Sequence, residues 1–173
     1  MLNSKIDDWF KFKGWVPHNY QIELNNKLSN LNSALVIAPT GGGKTLAGFI
    51  PAIADIIKEV PKGLHTLYIS PLKALANDIE RNLEFPIKEM ELDITLETRT
   101  GDTKQNKRNS QKNNPPHFLM TTPESFILML SWETSKKFFS NLKFLIIDEI
   151  HTLFNDKRGD LLSLGISELR NIN

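Results

Sequence analysis

The run Leu35-Val36-Ile37-Ala38 passes through Pro39-Thr40 into Gly41-Gly42-Gly43-Lys44-Thr45. No other stretch constrains the fold as tightly, because it reads as a strand, a phosphate-accepting loop and a helix start. Small residues let backbone N–H groups turn inward around an anionic oxygen, and Lys44 adds a point charge suited to the β- and γ-phosphates. Thr45 offers a hydroxyl to Mg²⁺, and the helix brings its N-terminal dipole to the same place. The first position of this loop pattern is usually glycine; here it is Ala38.

Phe144-Leu145-Ile146-Ile147-Asp148-Glu149-Ile150-His151 supplies the matching half. Four apolar residues suit a parallel strand, and two carboxylates follow where it would emerge. Alone, they are equally readable as solvated charges at a strand end. In one chain with a phosphate loop, they fit the needs of nucleotide hydrolysis: Asp148 for the Mg²⁺ shell and Glu149 for orienting the attacking water.

Chemistry of other kinds is narrowed by what is missing. The 173 residues contain no cysteine, which excludes disulfides, iron–sulfur clusters and thiolate zinc sites. His18, His65, His117 and His151 show no paired metal-ligand spacing. A net charge of +1 gives no global basic signature for nucleic acid or membrane. Residues 1–14 lack the apolar core of a signal peptide, and no apolar run reaches spanning length, so a cytoplasmic protein without membrane contact is expected.

Strands are expected at 34–38, 65–69, 94–98, 118–121 and 144–147, each short. Helices are expected between them. Asn3 or Ser4 caps one containing Ile6, Trp9 and Phe10, and another follows Pro17 with Ile22, Leu24, Leu28 and Leu31. Leu46, Phe49, Ile50, Ile53 and Ile57 mark the helix after the loop, where Pro51 should remove a backbone bond or kink it. Further helices carry Leu72, Leu75, Ile79 and Leu83, then span 123–130, 135–139 and 161–171. Residues 104–114, with four basic side chains and no acid, read as a mobile surface loop whose charges form a solvated face. The alternation implies an α/β doubly wound parallel sheet with helices on both faces and ligands beyond the strand C-termini.

These motifs together resemble the first RecA-like P-loop domain of superfamily 2 DExH helicases. Residues 38–45 look like motif I, where Ala at the first position is usual, and Asp148-Glu149-Ile150-His151 looks like the DExH form of motif II. Pro71-Leu72-Lys73-Ala74-Leu75-Ala76 resembles motif Ia, and Thr121-Thr122-Pro123-Glu124-Ser125 motif Ib. Arg99-Thr100-Gly101-Asp102-Thr103 and Lys157-Arg158-Gly159 are similar to segments of the Lhr-type (large helicase-related) group. Trp9-Phe10, Gly14-Trp15-Val16-Pro17 and Gln21 resemble the start of its ligase-associated branch, although Ile150 stands where that branch more often has Trp. Ski-type RNA helicases share the DEIH sequence; residues 121–125 favour the Lhr type.

The resemblance implies an ATP-dependent helicase or translocase acting on single-stranded nucleic acid, DNA in preference to RNA. It implies an N-terminal helical segment at 1–31 and the RecA-like domain at 32–173. ATP would be held by Gln21, Ala38, Pro39, Thr40, Gly41, Gly42, Gly43, Lys44 and Thr45, with Mg²⁺ at Thr45, Asp148 and Glu149. Lys44, Asp148 and Glu149 would carry catalysis. Gln21 would read adenine, since an amide donates and accepts together on N6 and N7, and Trp15 or Phe12 could lie against the base. Nucleic acid would meet Pro71, Lys73, Arg99, Gly101, Thr122, Pro123 and Glu124, and His151 would couple to a second RecA-like domain. That partner domain lies outside the 173 residues. The isolated chain is therefore expected to turn over ATP poorly, because an arginine finger alone contributes about 10³–10⁵ in rate. The alternative is a nucleotide-gated binding module without turnover.

Overall fold

Thr-Leu-Tyr-Ile, Leu-Glu-Thr-Arg, Phe-Leu-Met-Thr and Phe-Leu-Ile-Ile are the four strands of a parallel sheet in the computed structural model, which describes residues 2–28, 33–39, 41–154 and 156–172. They are β1 (Thr66–Ile69), β2 (Leu96–Arg99), β3 (Phe118–Thr121) and β4 (Phe144–Ile147), arranged in the order β2-β3-β1-β4. The described chain divides into two compact units, Met1–Val60 with Phe85–Asp93, and Pro61–Glu84 with Ile94–Asn173.

The second unit holds the sheet. Tyr68 pairs with Met120 and Ile146, and Thr98 with Met120, so these four share one face. Leu67, Leu119 and Leu145 share the other. β1 is central and wholly buried, as expected of a parallel strand apolar on both sides, whereas β4 is half-buried throughout. Helix α4 (Lys73–Glu89) follows β1, and its Ala76 carbonyl accepts a bond from Thr98 Oγ1 on the Tyr68 face. On the opposite face, α6 (Pro123–Leu130), α7 (Ser135–Phe139) and α8 (Lys157–Ile172) close a core built on Leu67, Ile69, Leu119, Phe126, Phe139 and Leu162. Helices on both faces of an all-parallel sheet make this the expected α/β doubly wound arrangement. Gly165 lets α6 and α8 approach closely, since a Cβ there would stand 2.7 Å from Phe126 Cε1.

The first unit holds α1 (Ser4–Phe12), α2 (Asn19–Lys27) and α3 (Lys44–Lys58). Asn3 caps α1 by accepting the Lys5 N–H at 3.0 Å. Trp9 Nε1 donates to Glu89 at 2.7 Å, Lys13 pairs with the same carboxylate, and both hold it below the usual carboxylate pKa. Helix α3 runs unbroken through Pro51, and α2 packs against it.

Three expectations are corrected. Residues 34–38 do not form a strand: the described segment carries no ladder, with Leu35 72% and Ile37 87% exposed. An apolar run becomes a strand only where backbone partners exist, and none is described for it. Residues 104–114 are not a loop, because Gln105–Asn113 forms helix α5. Its only buried residue is Gln111, so it has no apolar stripe; polar bonds hold it instead. Gln111 Nε2 donates to Glu97 and to the Thr98 carbonyl, while Arg99 donates to the Arg108 carbonyl. The final helix starts at Lys157, four residues ahead of the expected 161. Among the described residues no helix is long and apolar enough to cross a membrane.

Candidate nucleotide and nucleic-acid sites

In the first unit, the loop before α3 is built from residues that tolerate a left-handed backbone. Gly41 and Gly43 have φ of +78° and +79°, a region costly for residues with a Cβ. The Gly42 N–H closes the turn onto the Pro39 carbonyl at 3.0 Å, and a Cβ at Gly42 would press on that same oxygen. Lys44 opens the helix and turns its ammonium back onto the carbonyls of Ala38 (2.7 Å) and Pro39 (3.0 Å). Thr45 follows in the first turn, whose N–H groups lack intrahelical acceptors by geometry. Thr40 lies outside the described residues. A backbone cradle that only glycine fits, one ammonium and a helix N-terminus suit a triphosphate.

Gln21, 2% exposed, ties α2 to this loop. Its Oε1 accepts the His18 N–H at 2.8 Å and its Nε2 donates to the Gly43 carbonyl at 3.1 Å. Tyr20 donates to the Gly42 carbonyl and stacks on His18. The amide expected to face adenine is thus occupied in bracing the glycine turn. Phe12 and Trp15 are 77% and 55% exposed, with Trp15 edge-on to Trp9.

In the second unit, Asp148 and Glu149 emerge from β4. The Asp148 N–H continues the ladder to Ile69 O at 2.9 Å. One carboxylate oxygen accepts from the Tyr68 hydroxyl, the other from the Glu149 N–H at 2.9 Å. Burial first, then the hydrogen bond to Asp148, pushes the Tyr68 phenol far above its ordinary pKa, so it stays a proton donor. Glu149 itself adopts φ +47°, a strained value for a residue with a Cβ, and leads into the short 3-10 helix Ile150–Leu153. His151 Nδ1 lies 3.3 Å from Glu149 Oε2, with the imidazole 71% exposed. The Asp148 carboxylate is a hard oxygen donor of the kind that Mg²⁺ accepts. Among the described residues no three His, Asp or Glu side chains gather as a dedicated metal cluster.

A groove of about 540 Å³ opens beside the strand ends, lined by Pro71, Lys73, Gly101, Thr122, Glu124 and Arg158, among others. Lys73 pairs with Asp102 at 2.9 Å and lies over Gly101. Arg158 spans the floor, donating to Glu124 at 2.5 Å and to the Pro71 carbonyl at 2.7 Å. Burial raises the Glu124 pKa, but the bond from Arg158 and those from its own N–H and Thr122 outweigh it and hold the carboxyl low. Thr122 is the N-cap of α6 with Pro123 behind it, and both are buried.

Arg99 stands apart from this groove. Only 8% exposed, it lies 4.6 Å from the Trp132 ring and bonds to α5, and burial beside Arg108 brings its pKa down to about 10. Arg108 instead staples the Arg99–Thr103 turn, donating to the carbonyls of Thr100, Gly101 and Thr103. Reading the sequence missed Tyr68, Arg108 and Arg158 as site-shaping residues. Tyr68 had a signal: a tyrosine inside an aliphatic strand must find a partner for its hydroxyl.

An all-parallel sheet between helices, with paired carboxylates at a strand end and a glycine–lysine loop opening a helix, defines a RecA-like nucleotide-binding domain. A family description, DEAD/DEAH box helicase, matches residues 18–173, and the chain belongs to that family. It is 38% identical over 190 residues to the ATP-dependent helicase Lhr-Core of Methanocaldococcus jannaschii, covering 99% of this chain and 22% of that protein. The structure of Mycobacterium smegmatis helicase Lhr bound to ssDNA and AMP-PNP superposes with a TM-score of 0.88 at 38% identity, across 99% of this chain and 23% of that one. The helicase MrfA bound to DNA and AMPPNP gives 0.86 at 25% identity, covering 99% of this chain and 25% of its own. The chain thus spans about a fifth to a quarter of these relatives.

Proposed function

We propose that residues 32–173 are the first RecA-like domain of an Lhr-type ATP-dependent helicase or translocase, and that 1–31 form its helical N-terminal segment. The observation that carries this reading is the glycine cradle at Gly41–Gly43 with Lys44 at the head of α3, in a chain whose β4 is followed directly by Asp148-Glu149. Lys44 leaves the carbonyls of Ala38 and Pro39 to meet the β- and γ-phosphates. Thr45 and Asp148 hold the Mg²⁺ shell, and Mg²⁺ supplies charge neutralisation for phosphoryl transfer. Glu149 orients the attacking water.

The backbone at Pro71, Lys73 and Gly101 and the head of α6 take the phosphates of a single strand, contacts that position it without reading bases. DNA is favoured because the Lhr and MrfA structures carry ssDNA and DNA. His151, exposed beside Glu149, faces a second RecA-like domain that supplies the remaining catalytic groups. Gln21 acts on nucleotide through the glycine turn it braces. A cytoplasmic location belongs to the same reading.

Glu149→Gln tests it. In the full-length protein the variant keeps Mg·ATP affinity and loses at least about 100-fold in turnover, as expected for removal of an acid–base group. Undiminished turnover would remove Glu149 from that role.

A further inference from the structure

Tyr68 has a role that the nucleotide reading does not by itself require. The side chain is 1% exposed, yet its hydroxyl reaches Asp148 across the β1–β4 pairing, where Tyr68 stands opposite Ile146. A carboxylate oxygen only accepts, so the phenol's own proton is directed at Asp148. Asp148 sits at the end of a half-buried edge strand. The torsion that rotates a carboxylate is broad and soft. Two donors from fixed positions, Tyr68 Oη and the Glu149 N–H, remove that freedom and leave each oxygen with unshared electron pairs.

We propose that Tyr68 is a positioning residue, which sets the rotation of the Asp148 carboxylate so that it meets the magnesium–nucleotide complex without reorienting. The proposal rests on the reading of Asp148 as a Mg²⁺-shell residue. It assigns the buried strand β1 a part in metal affinity that neither loop motif contains. Tyr68→Phe keeps the ring and removes only the donor.

The test uses the full-length protein, a fluorescent AMP-PNP analogue and a MgCl₂ titration, with nucleotide affinity also measured in EDTA. In Tyr68→Phe the Mg²⁺ concentration for half-maximal binding rises at least about 10-fold, the usual consequence of losing a group that orients a metal's ligand. Metal-free nucleotide affinity stays unchanged. In the Asp148→Asn background, Tyr68→Phe adds nothing further. A wild-type Mg²⁺ titration in Tyr68→Phe overturns the inference. So does a parallel loss of metal-free affinity, which marks a general structural defect, or an added loss in the double variant. Should the wild-type protein show no Mg²⁺-dependent nucleotide binding, the nucleotide reading itself fails before any variant is compared.

Discussion

Gly165→Ala sets two magnitudes against each other. Within a helix, replacing glycine by alanine stabilises by roughly 0.5–1 kcal/mol, because glycine loses more backbone freedom on folding. In α8 the new Cβ would stand 2.5 Å from Ile127 Cδ1, 2.7 Å from Phe126 Cε1 and 3.2 Å from Phe126 Cδ1. Carbon pairs rest at about 3.5–4.0 Å, so two contacts overlap by about 1 Å. The Ile127 terminal methyl can rotate away. Phe126 cannot: it is fully buried and stands edge-on to Phe139 with centroids 6.1 Å apart. Helix α8 must therefore shift, and overpacking of this kind costs about 1–3 kcal/mol. The clash outweighs the propensity gain, for a net loss of about 1 kcal/mol within a span of roughly 0–2.5 kcal/mol. Urea unfolding followed by circular dichroism measures it, with a fall in melting temperature of about 2–4 °C per kcal/mol at this size. Ser163→Ala, at an exposed position of the same helix, is the control and changes stability by no more than about 0.5 kcal/mol. If Gly165→Ala stabilised the protein, the close approach of α6 and α8 would be refuted.

Two further outcomes follow from the sites. Lys44→Ala removes the cation that meets the β- and γ-phosphates, so fluorescence titration should find Mg·ATP binding abolished while the melting temperature holds; retained binding would exclude the loop as the phosphate site. Glu124 has its folded-state pKa below that of the unfolded chain, so its contribution is fully present above the unfolded carboxylate pKa and lost as pH falls through the folded value. Glu124→Gln should therefore flatten the loss of stability between about pH 5 and pH 3, measured by urea unfolding at each pH. An acid limb as steep as wild type would show that Arg158 and Glu124 are not coupled in solution.

Three of the four strands were legible because Leu67 to Ile69, Phe118 to Met120 and Phe144 to Ile147 are runs of apolar or aromatic residues, as a parallel strand covered by helices demands. The glycine loop and Asp148-Glu149 were legible for a different reason: few residue types can turn a backbone around phosphate. Helix α5 was not, since its attachments are polar side-chain bonds between Gln111, Arg99 and backbone carbonyls and leave no apolar period in the sequence. The same holds for Arg158, whose partners Glu124 and Pro71 lie far away along the chain. Arg99 illustrates the converse. A basic residue in a loop motif suggests a phosphate contact, but here the guanidinium is drawn inward by the face of Trp132 and the Arg108 carbonyl. Residues 34–38 show that apolar content alone does not make a strand, because the ladder must also find its partner.

Steady-state ATP hydrolysis by the full-length protein, with and without single-stranded DNA and single-stranded RNA, tests the central claim most directly. The account predicts Mg²⁺-dependent turnover that rises when single-stranded DNA is added and rises less with RNA. Turnover indifferent to both nucleic acids, or absent under all three conditions, would contradict it.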